Sequence, residues 1–194
     1  RPGMRLSQLR FVRGNPLSPD SHLYGIHDEE TLIYTEEDSP GEPVIHKGLK
    51  LSLSLKSQDN GSGGPVAFRA RANAPVVDLG LINHYEPEFF WDPIPAPKAA
   101  RLILDQDAFY ILASRERVRV PPLYAAEMVA FDASVGEFRI HYAGFFDPGF
   151  GYGLSDIRGT RAVLEVRVHE APFQVEDGQI VGRLVYSRLT SEPD

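Results

Sequence analysis

The sequence predicts an all-β domain. Leu49 to Lys56 alternates Leu with Lys or Ser, the period-two pattern of a half-buried strand. Gly at 17 positions and Pro at 16, in 194 residues, cut the chain into short pieces that suit strands and turns better than helices. Only Pro122 to Phe131 carries a pattern compatible with a helical turn or two. Many short strands joined by Gly/Pro turns indicate a sandwich or barrel.

After the Leu49 strand, Gln58 to Pro65 has turn chemistry and Val66 to Ala72 resumes an extended pattern. No lysine or helix follows the glycines, so the segment reads as a hairpin loop rather than a phosphate cradle. Val76 to Ile82 is a further apolar strand candidate. The four prolines between Glu86 and Pro97 exclude a central strand or a helix interior. That stretch is expected to be an ordered crossing loop with its aromatics tucked down. Leu102 to Leu104 and Phe109 to Ala113 are short apolar strands, and Arg115, Arg117 and Arg119 share a face opposite Val118 and Val120. Glu137 to Ala143 alternates, as does Thr160 to Val168, with Ala162, Leu164, Val166 and Val168 pointing inward. Ile180 to Tyr186 is the last strand.

Composition narrows the function. The chain has no cysteine, which excludes a disulfide framework and every thiolate zinc site. This fits a reducing compartment, and a cytoplasmic location is expected. No apolar run approaches the roughly 18–20 residues needed to cross a bilayer, so no membrane partner is expected. A formal charge of −7 argues against binding a nucleic acid polymer by bulk attraction. A polyanion would have to be held locally, by a few arginines or a bound cation. The six histidines are scattered without HExxH spacing, and neither a Walker A sequence nor a G-x-S-x-G elbow occurs.

Two segments carry candidate chemistry. Gly136 to Gly153 runs from a strand into Asp147-Pro148-Gly149. It is either a hairpin whose Asp147 caps its own turn, or a backbone-lined slot able to read the edge of a flat base. In Arg161 to Arg167, alternation puts Glu165 on the face of Arg161, Val163, Arg167 and His169. That face is either solvated or presents a carboxylate that shuttles protons. Pro2 to Phe11 and Asp177 to Tyr186 also match as glycine-led strands with a leucine six places on, which suggests two domains in tandem. Residues 1–14 are then the closing strand of a preceding domain, and 15–194 form a β-barrel domain.

His141 to Phe150, Ala162 to Val166 and the Gly178 to Leu184 strand together resemble the dUTPase and dCTP deaminase superfamily, in particular the C-terminal half of two-domain bacterial dCTP deaminases. The resemblance implies a distorted jelly-roll barrel of the dUTPase-like (β-clip) type, assembled as a trimer-like homo-oligomer with nucleotide sites between subunits. It implies hydrolysis of dCTP to dUTP and ammonia, with Mg²⁺ on the triphosphate and no zinc. By position, Glu165 matches the glutamate that activates water. Ala143, Gly144 and Asp147 match the hairpin that reads pyrimidine and deoxyribose, Ser134 is what remains of a Ser-Ser-x-x-Arg motif, and Gln179 falls on the last-strand motif. Phe145 stands where the family expects arginine, and no arginine accompanies Ser134. A dUTP diphosphatase and a non-catalytic structural or regulatory domain therefore stand as alternatives.

Overall fold

A computed structural model of the chain describes residues 3, 9–57, 63–130, 139–140, 144–153, 157–168 and 171–193. The elements in order are α1 (Asp20–Glu30), β1 (Ile33–Tyr34), β2 (Leu49–Ser54), β3 (Pro65–Ala70), a 3₁₀ turn (Pro87–Phe89), β4 (Trp91–Pro95), β5 (Arg101–Leu104), β6 (Phe109–Val118), β7 (Tyr124–Ala130), β8 (Arg139–Ile140), β9 (Phe145–Phe146), β10 (Thr160–Arg167), β11 (Phe173–Glu176) and β12 (Ile180–Arg188). Among the described residues ten strands form one curled sheet, and β11 pairs with β5 apart from it. The predicted all-β class holds.

β6 organises the sheet. Along one edge it pairs with β10 from Phe109↔Arg167 to Val118↔Thr160. Along the other it meets β3 at Tyr110 and Ile111, β2 at Ala113 and Ser114, and β1 at Arg117 and Val118. β12 continues the sheet from β2 to β7, and β7 from there to β9. The inward rows of these strands make the core. Leu49, Leu51, Leu53, Leu112, Leu164, Val166, Leu184 and Tyr186 are all buried in it.

Three expectations are corrected. Val76 to Ile82 forms no strand; Val76 and Ile82 are 92% and 86% exposed, and Asp78 organises a local turn by accepting the Gly80 N–H at 2.8 Å. An apolar run becomes a strand only where another strand offers it a ladder. Of Pro122 to Phe131, the described residues 122–130 are not helical. Their Tyr124–Ala130 part is β7, hydrogen-bonded to β12 on one side and β9 on the other, so two ladders override the ambiguous local pattern. The proline-rich crossing loop contains a strand, β4, at the sheet edge beside β3. An edge strand has one side free of ladder bonds, and Pro93 and Pro95 are tolerated there. Of its aromatics, Phe89 is exposed, while Phe90 stacks edge-on to Tyr85 and Trp91 lies 6.1 Å from Phe109.

The sequence reading missed α1. Its signals are modest: Pro19 and Asp20 at the start, then Leu23 and Ile26 at helical spacing, both buried. At its start, Asp20 accepts the N–H groups of Lys47 and Gly48 at 2.8 and 2.9 Å. Gly48 has φ +119, and a Cβ there would sit 2.6 Å from the Leu184 carbonyl, so α1 fastens a turn that only glycine permits. Residues ahead of the helix join the sheet too, since Ser18 N–H donates to Tyr186 O at 2.9 Å. The strand expected over Pro2 to Phe11 lies mostly outside the described residues, and residues 9–14 carry no regular element.

At the other end of α1, His27 Nδ1 accepts the N–H of buried Leu32 at 3.2 Å. Burial pushes the imidazole pKa below its ordinary value, against an opposing pull from Asp28. The unfolded chain therefore takes up the proton first. This contribution to stability is complete above the ordinary histidine pKa of about 6.5 and is lost as pH falls through the lowered folded value. We expect the urea midpoint to fall between about pH 7.5 and pH 5. In His27→Asn, whose amide oxygen can accept the same N–H without titrating, the fall should be smaller. Equal falls would remove His27 as the cause.

Candidate active site

β10 shows how the sequence pattern builds an outward-facing carboxylate. Ala162, Leu164, Val166 and Val168 are buried, so Val163, Glu165 and Arg167 must project from the other face. That face is open: Val163 is 60% exposed, and Glu165 and Arg167 are exposed as well. Directly opposed residues on neighbouring strands share a face. Glu165 pairs with Ile111, which pairs in turn with Phe68. A half-buried apolar row thus crosses three strands and ends at the carboxylate. The next row holds Arg167 opposite Phe109.

The start of β10 departs from simple alternation. The register with β6 shifts between Arg161 and Val163, a bulge that costs the ladder one regular position. Buried Ser114 repairs it: its Oγ accepts the Ala162 N–H at 2.8 Å and donates to Glu116 O at 2.7 Å. Arg161 turns inward as a result. Its side chain is 16% exposed, bonded to Ser114 O at 3.0 Å and to Glu36 at 3.1 Å. His169, expected on the Glu165 face, lies outside the described residues.

The turn after β9 is well defined. Phe150 N–H donates to Asp147 O at 3.0 Å, with Pro148 second and Gly149 (φ +81) third, the residue types of a type II turn. Gly144 O accepts the Met128 N–H at 3.1 Å, and Asp147 is exposed. Gln179 sits in the turn before β12. Its carbonyl accepts the Leu53 N–H at 2.9 Å, and its side chain accepts the Glu176 N–H at 3.0 Å. Ser134 and Ala143 lie outside the described residues.

Glu165, Gly144, Asp147 and Gln179 thus hang on different strand pairs, and none of them lines any of three surface cavities of about 440, 820 and 630 Å³. The 820 Å³ cavity is reached from the same face of β10, through Arg167, and is also lined by Arg69, Arg71 and Asp92. At Phe145, where the family pattern has arginine, a guanidinium is nonetheless present. Arg10 lies 4.0 Å over the Phe145 ring and reaches Ala126 O at 3.4 Å.

The family model for the 2'-deoxycytidine 5'-triphosphate deaminase (DCD) C-terminal domain matches residues 19–194. The chain belongs to that family. No curated protein matches it. Among solved structures, the 2'-deoxycytidine 5'-triphosphate deaminase of Agrobacterium tumefaciens is 49% identical, with a TM-score of 0.82 over 93% of this chain. The chain spans 50% of the length of that relative. The fold is therefore that of a dCTP deaminase, the dUTPase-like barrel that the hairpin and glutamate motifs imply.

Sequence reasoning missed Ser114, a small polar residue in an apolar strand that gives no periodic signal. It did single out the 115, 117 and 119 arginine stripe, which the DCD fold puts to three uses. Arg115 lines a cavity, Arg117 pairs with Asp38, and Arg119 packs between two tyrosines. Replacing Ser114 by Ala should leave the buried Ala162 N–H without an acceptor, at a cost of about 1–3 kcal/mol. Urea denaturation should register that loss, and a change below about 0.5 kcal/mol would mean the bulge is satisfied another way.

Proposed function

We propose that the protein carrying this chain hydrolyses the C4 amine of dCTP, giving dUTP and ammonia, with Glu165 as the general base and then the general acid. The observation that carries the reading is the outward presentation of Glu165 on β10, in a chain belonging to the dCTP deaminase C-terminal family. In this reaction water adds its oxygen to C4 while Glu165 takes one of its protons. The carboxyl group then returns a proton to the exocyclic nitrogen, the C4–N bond breaks, and ammonia leaves. A positioned acid–base of this kind contributes about 10²–10⁴-fold, with orientation and charge stabilisation supplying the rest.

In this reading Ala143, Gly144 and Asp147 hold base and sugar with main-chain and carboxylate groups, and Ser134 and Gln179 complete the contacts. A carboxylate on an open face needs cover to exclude water. We therefore read the enzyme as a homo-oligomer in which a second barrel closes over the Glu165 face, where the Phe68–Ile111 row offers apolar surface. By the family resemblance, Mg²⁺ is assigned to the triphosphate oxygens, which it neutralises. We also read residues 1–14 as the end of a preceding domain and 15–194 as this one. The family match beginning at residue 19 is compatible with that division. Among the described residues no helix is long and apolar enough to cross a membrane, and the reading places the enzyme in the cytoplasm.

A non-catalytic supporting domain is the rival, favoured by the exposed position of Glu165 and by the lack of an arginine beside Ser134. Glu165→Gln discriminates. It should lower dCTP turnover by at least about 10²-fold with an unchanged melting temperature, as the residue is exposed. Undiminished turnover would assign catalysis elsewhere in the protein. Chromatography of the wild-type products should give dUTP and ammonia, and dUMP would replace the deaminase reading with a diphosphatase.

A further inference from the structure

We infer that Arg119 and Tyr152 form a latch, anchored on Glu30 at the end of α1, that positions the Asp147 turn relative to the strand carrying Glu165. The inference rests on the reading of Asp147 and Glu165 as site residues, and it assigns Arg119, Tyr152 and Glu30 as positioning residues that do not touch substrate.

The geometry is specific. The Arg119 guanidinium carbon lies 4.8 Å from the Tyr34 ring centroid and 4.6 Å from that of Tyr152, a cation held between two aromatic faces. Its Nη2 donates to Ile157 O at 2.6 Å. The Tyr152 hydroxyl donates to Glu30 Oε2 at 2.7 Å. Burial, and then the bond to Glu30, raise the pKa of that hydroxyl far above its ordinary value, so it remains a donor at any pH where the protein works. The main chain of Arg119 is fixed as well: its N–H donates to Leu32 O at 2.8 Å, and its carbonyl accepts the hydroxyl of buried Tyr186 at 2.8 Å. The side chain therefore projects from an anchored point.

What the latch holds is the described stretch after the Asp147 turn, residues 149–152 and Ile157. Asp147 stands before it, and Thr160 opens β10 after it, five positions before Glu165. Gly149 N–H donates to Val120 O and Val120 N–H to Phe150 O, both at 2.9 Å. A Cβ at Gly151 would sit 2.1 Å from Val118 O, so the backbone here lies directly on the end of β6. Tyr152 then crosses from this loop to α1, while Arg119 reaches Ile157 further along it. Without either contact residues 149–152 keep their bonds to Val120 and the Gly159 N–H bond to Gly151 O at 3.1 Å, so the latch sets how tightly they are held. α1 thereby gains a role in an otherwise β domain: its first turn fixes the Lys47–Gly48 turn, and its last turn holds Tyr152.

The test uses the whole protein with Tyr152→Phe, Glu30→Ala, Glu30→Gln and Arg119→Lys, reading amide hydrogen exchange at Gly149–Gly151 and separating kcat from KM for dCTP. Tyr152→Phe and Glu30→Ala should each speed exchange in that loop by about tenfold and raise KM about five- to tenfold, the size of one ordinary hydrogen bond, with a smaller change in kcat. The double variant should be no worse than either single one. Glu30→Gln keeps an acceptor and should stay close to wild type. Arg119→Lys removes the planar cation and should behave like Tyr152→Phe. If Arg119→Lys does not fold, Tyr152→Phe, which loses a single hydroxyl, decides alone. Unchanged exchange would overturn the latch, and faster exchange with unchanged KM would reduce it to a structural contact. Wild-type protein without dCTP turnover would remove the deaminase reading instead, while the exchange comparison would still decide whether the latch holds the loop.

Discussion

The pairing of β6 with β10 is the constraint on which the rest of the molecule depends. β6 spends one whole edge on β10 and divides the other among β3, β2 and β1. Because side chains alternate with a period of two, a one-residue slip in that pairing would turn Leu164 and Val166 to water and Glu165 into the core. The buried row of β10 therefore fixes the direction of its only carboxylate. The bulge near Ala162 is the one place where that register bends, and Ser114 supplies there the acceptor that the ladder cannot.

Around this framework the polar side chains divide by burial. Arg69–Asp105, Arg71–Asp92 and Arg101–Glu176 pair across exposed surface, where such contacts contribute about 0–1 kcal/mol each. Arg161 and Arg119 differ, being drawn partly out of water and bonded to backbone carbonyls. Such contacts fix position as much as they add stability, and removing Arg161 would take a donor from the buried Ser114 carbonyl. Both lie along the route from the Asp147 turn to Glu165.

The open face of β10 presents a physical requirement. Proton transfer between a carboxylate and a bound base is effective where bulk water is excluded and the reacting groups are held in place. The single chain supplies the carboxylate, an apolar row beside it and a held turn, and its face remains open. The chain also spans half the length of the A. tumefaciens relative. In the proposed reading, a second barrel supplies the cover that this face needs.

Much of this was legible in the residues, where the burial signal is local. The strands at Leu49, Phe109, Thr160 and Ile180 follow from side-chain alternation, the Asp147 turn from its Pro-Gly pair, and the family from the hairpin and glutamate motifs. The chain also carried α1 in weak form, as two apolar residues behind Pro19. Other features depended on partners distant in sequence. Whether Val76 to Ile82 became a strand, whether Pro93 and Pro95 could enter one, and whether Tyr124 to Ala130 chose a ladder over a helix were settled by which edges the sheet left available. Alternation determines which side of a strand is apolar, but hydrogen-bond partners many residues away decide whether the strand exists and what stands beside it.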